Sequence, residues 1–183
     1  MSRLIHLNGP PGVGKSTLAR RYAAQHPGVL LLEIDTLRTM VAGWQEDFYE
    51  AGARIRTAAL AAIQAYLASG HDVVLPQLIG RSDELARFRA AGTQGGGQYV
   101  GVVLVAESDE VIARFRGRAA TEGDDPWVRA VTTVVADLGG DEALRRSSLD
   151  LEALAAREDL LRLPSTDLEA TYAALLLALG EQS

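Results

Sequence analysis

The chain contains no cysteine in its 183 residues, which excludes disulfides and thiolate metal sites and gives no pointer to secretion. It also lacks a long hydrophobic run. The longest, Ala173 to Leu179, is far too short to cross a bilayer. No apolar segment with a cleavage site stands ahead of the first strand, so no signal peptide is expected and a cytoplasmic location is the default. Basic charge is in deficit: a formal net charge of -6 argues against long nucleic acid as the main partner, although a local basic groove is compatible with an acidic protein. Histidine is scarce. His6, His26 and His71 have no metal-like spacing, and each is read as structural. No repeat, low-complexity segment or linker divides the chain, so one domain over 1–183 is expected. An apolar content of 48% with 23% charged residues is enough to cover a central sheet on both faces.

What the chain does have is Gly9-Pro10-Pro11-Gly12-Val13-Gly14-Lys15-Ser16-Thr17, a complete match to G-x-x-x-x-G-K-[ST]. The apolar run Arg3–Asn8 precedes it as a buried strand, and Leu18–Ala24, rich in helix formers, follows it. In that context the loop forms a nest. Gly12 and Gly14 allow dihedrals that bring the backbone close to a ligand, and successive N–H groups with the helix N-terminus make an anion site. Lys15 is expected to reach the β- and γ-phosphates, Ser16 to ligate Mg²⁺, and the amides of Gly12, Val13, Gly14 and Thr17 to complete a site for ATP or GTP.

Further along, Val29–Ile34 reads as a second buried strand that places Asp35 at its carboxyl end, the ligand-binding edge of open α/β sheets. An Ala-rich helix is expected from about Phe48 to Ser69. A third strand over His71–Gln77 and a helix capped by Ser82 follow, then a fourth strand over Tyr99–Val105. Ser108-Asp109-Glu110 opens a helix bearing Arg114, Arg116 and Arg118, ahead of an acidic loop from Thr121 to Pro126. Helices around Val128–Leu138 and Asp141–Arg157, a weak strand at Leu160–Leu163 and a final helix from Asp167 to Leu179 complete the chain. Strands alternating with helices predict an α/β fold: a five-stranded parallel sheet with right-handed crossovers, helices on both faces and a small helical lid over about 114–127.

A phosphate loop alone does not separate kinases, switches and motors. Three features sort them. Asp35 is placed to accept the proton of an attacking hydroxyl, or to cap the helix that follows. Arg114 and Arg118 share a helix face at i,i+4, either to cover a transferring phosphoryl group from a lid or to form a solvated basic face. The third feature is another absence: the strand that usually ends in an acid for Mg²⁺ ends instead at Pro76-Gln77, with Glu107 an alternative acid on the next strand. Gln77 is a candidate contact to substrate or to metal-bound water, or a cap for the next element. Trp44, Phe48 and Tyr49 are candidate walls of an acceptor pocket, or core.

With those residues in view, the chain resembles the P-loop hydroxyl-kinase group, which includes the polynucleotide 5′-kinases, chloramphenicol phosphotransferase and zeta-toxin-like kinases. The likeness runs from Met1 to about Arg118 and rests on the glycine loop, Asp35-x-x-Arg38 and Arg114-x-x-x-Arg118. It implies that Asp35 is the base, Arg38 a substrate or phosphate contact, Arg114 and Arg118 lid arginines, and Pro164-Ser165-Thr166 a border of the adenine. The sequence departs from the group at Pro76-Gln77, where an acid is common.

The leading expectation is an ATP-dependent phosphotransferase acting on a hydroxyl of a small molecule such as a nucleoside, sugar or antibiotic. A polynucleotide or nucleotide kinase is the rival within the class, with Arg54, Arg56, Arg81, Arg87 and Arg89 as its basic channel. A nucleotide-binding regulator that hydrolyses slowly or not at all is the rival outside it.

Overall fold

A computed structural model describes residues 1–181; the last two residues of the domain expected over 1–183 lie outside the described residues. The first half of the chain runs β1 (Arg3–Asn8), α1 (Lys15–Gln25), β2 (Leu30–Leu31), α2 (Ile34–Thr39), α3 (Phe48–Ala68), β3 (Val73–Pro76) and α4 (Ser82–Gln94). The second half runs β4 (Gln98–Val105), α5 (Ser108–Thr121), α6 (Pro126–Asp137), α7 (Asp141–Arg157), β5 (Leu161–Pro164) and α8 (Leu168–Ala178). All strand pairs are parallel, and the five-stranded sheet has the order β2-β3-β1-β4-β5.

β1 is central, flanked by β3 and β4, and its residues Leu4 to Asn8 are fully buried. Alternation splits them between two cores. Leu4 faces α3, α4 and α7 through Ile63, Leu67, Phe88 and Leu154; Ile5 and Leu7 face α1 and α8 through Leu18, Tyr22 and Leu175. A third, smaller cluster of Ile112, Val135 and Leu144 joins α5, α6 and α7, with Phe115 and Val131 against it.

The apolar run Val29–Ile34 is a strand for only two residues. Leu30 and Leu31 pair with Val73 and Val74 at the sheet edge, Leu32 N–H donates to Val74 O, and the chain then turns at Glu33 into α2. Leu32 and Ile34 remain buried, so their hydrophobicity is spent under α3 rather than in a longer ladder. Asp35 accordingly lies in the first turn of α2, and Glu33, not Asp35, is the N-cap. Ser82 is likewise not a cap: Arg81 holds that position, and the Ser82 hydroxyl accepts from the Arg157 guanidinium. Asp125 and Asp167 do cap α6 and α8, through bonds from Trp127 and Val128 N–H and from Ala170 N–H. Among the described residues no helix is long and apolar enough to cross a membrane.

Candidate active site

The loop after β1 is built by backbone constraint. Gly12 and Gly14 have φ of 89° and 104°, a left-handed region that L side chains rarely adopt. A Cβ on Gly12 would also lie 2.7 Å from the Val111 carbonyl oxygen of α5. Two buried polar residues anchor the loop from below. Asn8 accepts from Gly9 N–H and Ile79 N–H and donates to Ile79 O, tying the loop's start to the segment after β3. Ser165, after β5, donates to Val13 O at 2.6 Å. The side chain of Val13 is fully buried in the core, so only its backbone serves the loop.

This loop forms one wall of a cavity of about 400 Å³. Gly12, Gly14, Lys15, Ser16 and Thr17 line it, and so do Asp35, Arg38, Gln77, Arg114 and Arg118. The loop residues other than Val13 thus share one space with Asp35, Arg38, Gln77, Arg114 and Arg118. Of the proposed aromatic walls, Phe48 lines the cavity, Trp44 is buried against it through Phe48 and Trp127, and Tyr49 is 69% exposed and outside the lining. Of the five arginines considered for a basic channel, Arg56 alone lines the cavity; Arg54, Arg81 and Arg89 pair with Asp47, Asp83 and Glu158. Glu107 is the N-cap residue of α5 and does not line the cavity.

Lys15 Nζ donates to Gly9 O at 2.8 Å and to Pro10 O at 3.0 Å, which holds the ammonium across the loop. Burial pulls its pKa down to about 8; the Asp35 charge opposes that shift and Arg118 adds to it. Burial also raises the Asp35 carboxyl above its ordinary range, against Arg38, Lys15 and Arg56. A carboxylate made more basic in this way suits proton acceptance.

Arg38 is 5% exposed and, among the described residues, its side chain makes no hydrogen bond or ion pair. Its guanidinium carbon lies 4.4 Å from the Phe48 ring centre and 5.2 Å from that of Trp127. The two rings stack on each other at 5.6 Å. Gly52 leaves the room: a Cβ there would come within 2.8 Å of an Arg38 terminal nitrogen. Arg56 Nε lies 2.9 Å from Glu84 Oε1 but off the N–H axis, so this buried donor has no aligned partner.

Arg114 and Arg118 have unequal freedom. Arg114 donates to Ser165 O, to Thr166 O and to Glu110, clamping the segment after β5 to α5. Arg118 bonds Glu122 at 3.0 Å on an exposed face, a pairing worth about 0.3–0.5 kcal/mol. The lining continues past the segment 114–127, because Val131, Val134 and Val135 of α6 line the cavity as well as Trp127. Sequence reasoning missed Trp127, Gly52 and Asn8, and named Ser165 only as part of a border of the adenine, not as a support of the loop. Asn8, a lone amide ending an apolar strand, carried a signal; the others depend on contacts between distant elements.

The family model described as an AAA domain matches residues 4–137, which is most of the chain and includes the glycine loop, Asp35, Arg38, Arg114 and Arg118. The chain belongs to this AAA-domain family. A comparison with curated proteins gives no match. Among solved structures, a gluconokinase from Sinorhizobium meliloti 1021 superposes with a TM-score of 0.59 at 18% identity, over 96% of this chain and 92% of that one. A kinase-like protein from Chloroflexus aurantiacus j-10-fl gives 0.67 at 22% identity, over 100% and 99%. A chain of the Pnkp1/Rnl/Hen1 RNA repair complex gives 0.62 at 19% identity, over 90% of this chain and 49% of that one. This member of the AAA-domain family thus has a P-loop kinase fold, that of the hydroxyl-kinase group it resembles in its motifs.

Proposed function

We propose that the chain is a single P-loop kinase domain with a helical lid, which transfers the γ-phosphoryl group of ATP (or GTP) to a hydroxyl of a small molecule. The observation that carries this reading is that Asp35 lines the same cavity as Lys15 and Ser16. A base and a phosphate cradle in one enclosed space are what phosphoryl transfer to an alcohol requires. Asp35 takes the proton of the acceptor hydroxyl while its oxygen bonds to the γ-phosphorus and the bond from that phosphorus to the β-bridging oxygen breaks. Lys15 leaves Gly9 O and Pro10 O for the β- and γ-oxygens, and Arg118 leaves Glu122 to meet charge developing on the moving group. Arg114 follows if its hold on Ser165 and Thr166 is released.

Magnesium fits the donor set. The Ser16 hydroxyl is a hard oxygen donor on the cavity wall, and Gln77 Oε1, buried there without a partner, can accept a hydrogen bond from the cation's water. Bound there with the nucleotide, the cation would neutralise phosphate charge. Arg38, buried with an unpartnered Nε–H and no ion pair among the described residues, favours an acceptor that carries a negative charge near its reactive hydroxyl. A sugar acid or a phosphorylated nucleoside has this chemistry, and the solved gluconokinase shows the fold in an enzyme named for a sugar acid. The paired states of Arg54, Arg81 and Arg89 speak against a polynucleotide channel. The test is transfer from γ-labelled ATP to a panel of hydroxylated acids, phosphates and neutral alcohols. Label should appear on an anionic acceptor. Nucleotide binding without transfer to any acceptor would favour the regulator reading, and a steep salt dependence with an oligonucleotide acceptor would favour the polynucleotide one.

A further inference from the structure

β3 lies between β1, which leads into the phosphate loop, and β2, which leads to Asp35. The residue that follows β3 therefore sits between Ser16, the proposed metal ligand, and Asp35, the proposed base. That residue is Gln77, 4% exposed and part of the cavity wall. Its backbone is fixed on both sides: Gln77 N–H donates to Leu7 O at 3.1 Å, and Gln77 O is 2.8 Å from His6 Nε2. The His6 pKa is lowered to about 4 by burial, so the ring is neutral and Nε2–H is the donor, while Nδ1 accepts from the Tyr99 hydroxyl at 2.7 Å. The side chain of Gln77 is far less satisfied. Nε2 makes one long bond of 3.4 Å to Leu78 O, and Oε1 has no partner at all. A buried, unused carbonyl oxygen of this kind calls for a donor from whatever fills the cavity.

The surroundings indicate what that donor is. Among the described residues Asp35 is the only acid lining the cavity, where it faces Lys15 and Arg38, and also Arg56, Arg114 and Arg118, which pair with Glu84, Glu110 and Glu122 outside the lining. No group of three or more histidine, cysteine or carboxylate ligands exists among the described residues. With Lys15 and Arg38 against the one Asp35 carboxylate, the unpaired charge in the cavity is positive, which disfavours a free divalent cation and suits one already neutralised by phosphates. A carboxylate just after β3 would cancel that excess; an amide does not. On the reading that the loop binds a nucleotide, we infer that Gln77 is a positioning residue for the metal: its Oε1 accepts a hydrogen bond from water in the shell of a magnesium ion that arrives only with the nucleotide.

The test measures affinity for a non-hydrolysable ATP analogue by calorimetry, once in EDTA and once in excess Mg²⁺, with no turnover involved. Wild type should bind more tightly with magnesium and bind no magnesium alone. Q77L should keep its affinity in EDTA, which shows an intact fold and loop, and lose about 10- to 100-fold of the gain from magnesium. Q77E should bind Mg²⁺ without nucleotide. If Q77L lost its fold, Q77N would carry the same test, since it keeps the amide but retracts the oxygen by one methylene. An unchanged magnesium gain in Q77L or Q77N overturns the inference, as does an equal loss in EDTA and in magnesium. Failure of the wild type to bind the analogue in either medium overturns instead the nucleotide site on which the inference rests.

Discussion

Lys15 is the only lysine in the chain, and its ammonium has a pKa lowered to about 8. A triphosphate binds the charged form, so nucleotide affinity should hold below about pH 8 and fall as the pH rises through that value. Bound phosphates restore the proton, so calorimetry at pH 8 to 9 in buffers of different ionisation enthalpy should show proton uptake on binding. No uptake would mean that the ammonium is already charged there. The same chemistry can be read by mass: an amine-reactive reagent can modify only Lys15 and the N-terminus, and nucleotide should protect the first and not the second. Asp35 offers a complementary prediction. D35N keeps the volume and removes the base, so nucleotide affinity should persist while turnover falls by about 10²–10⁴-fold. A variant with unchanged turnover would remove Asp35 from the proton transfer.

At the scale of elements, α3 and α6 meet across Arg38. Gly52 on α3 makes the slot, and Trp127 on α6 stacks over Phe48 to close it. In G52A the new methyl would sit 2.8 Å from the Arg38 guanidinium, which has flexible length to move away. Alanine is also the better helix former by about 1 kcal/mol, so the melting temperature should not fall. The effect should appear in the acceptor instead: a displaced guanidinium loses a charge-assisted contact worth about 1.5–3 kcal/mol, or a KM for an anionic acceptor raised roughly 10- to 100-fold, with nucleotide affinity unchanged. Trp44 and Trp127 are the only tryptophans, and both lie at this end of the cavity, so intrinsic fluorescence should respond to acceptor more than to nucleotide. The legibility of these elements divides along the same line. The glycine loop with its strand and helix could be read because every residue it needs is contiguous. The parallel sheet was legible from buried runs bounded by turn residues. The length of β2 was not, because burial under α3 and burial in a ladder leave the same apolar signature in Val29–Ile34. The Arg38 cage was not legible either: its walls come from α3 and α6, nearly eighty positions apart in sequence, and only packing brings Phe48 and Trp127 together.

At the scale of the whole molecule, stability and the site share one buried group. His6 stands in the central strand, fully buried, stacked near Phe88 of α4 and bonded to Tyr99 and to the backbone of Gln77. Its pKa falls from 6.5 to about 4 because burial penalises the cation more than the Gln77 carbonyl rewards it, and Lys15 adds repulsion. Between those two values the unfolded chain binds a proton that the folded chain refuses, so folding stability rises with pH across the window and is lost as pH drops from 6.5 toward 4. The full loss is on the order of 3 kcal/mol, a large share of a typical domain's stability. Asp35 works in the opposite sense, since a raised carboxyl takes up its proton in the folded state first and gains stability as the pH falls. The two must therefore be separated by difference. Urea midpoints measured from pH 7 to pH 4.5 should decline steeply in wild type and in D35N, and much less in H6Q, which keeps a hydrogen-bonding side chain in the strand but cannot titrate. Parallel curves for wild type and H6Q would show that the central histidine, bonded to the backbone of Gln77, is not what sets this fold's acid stability.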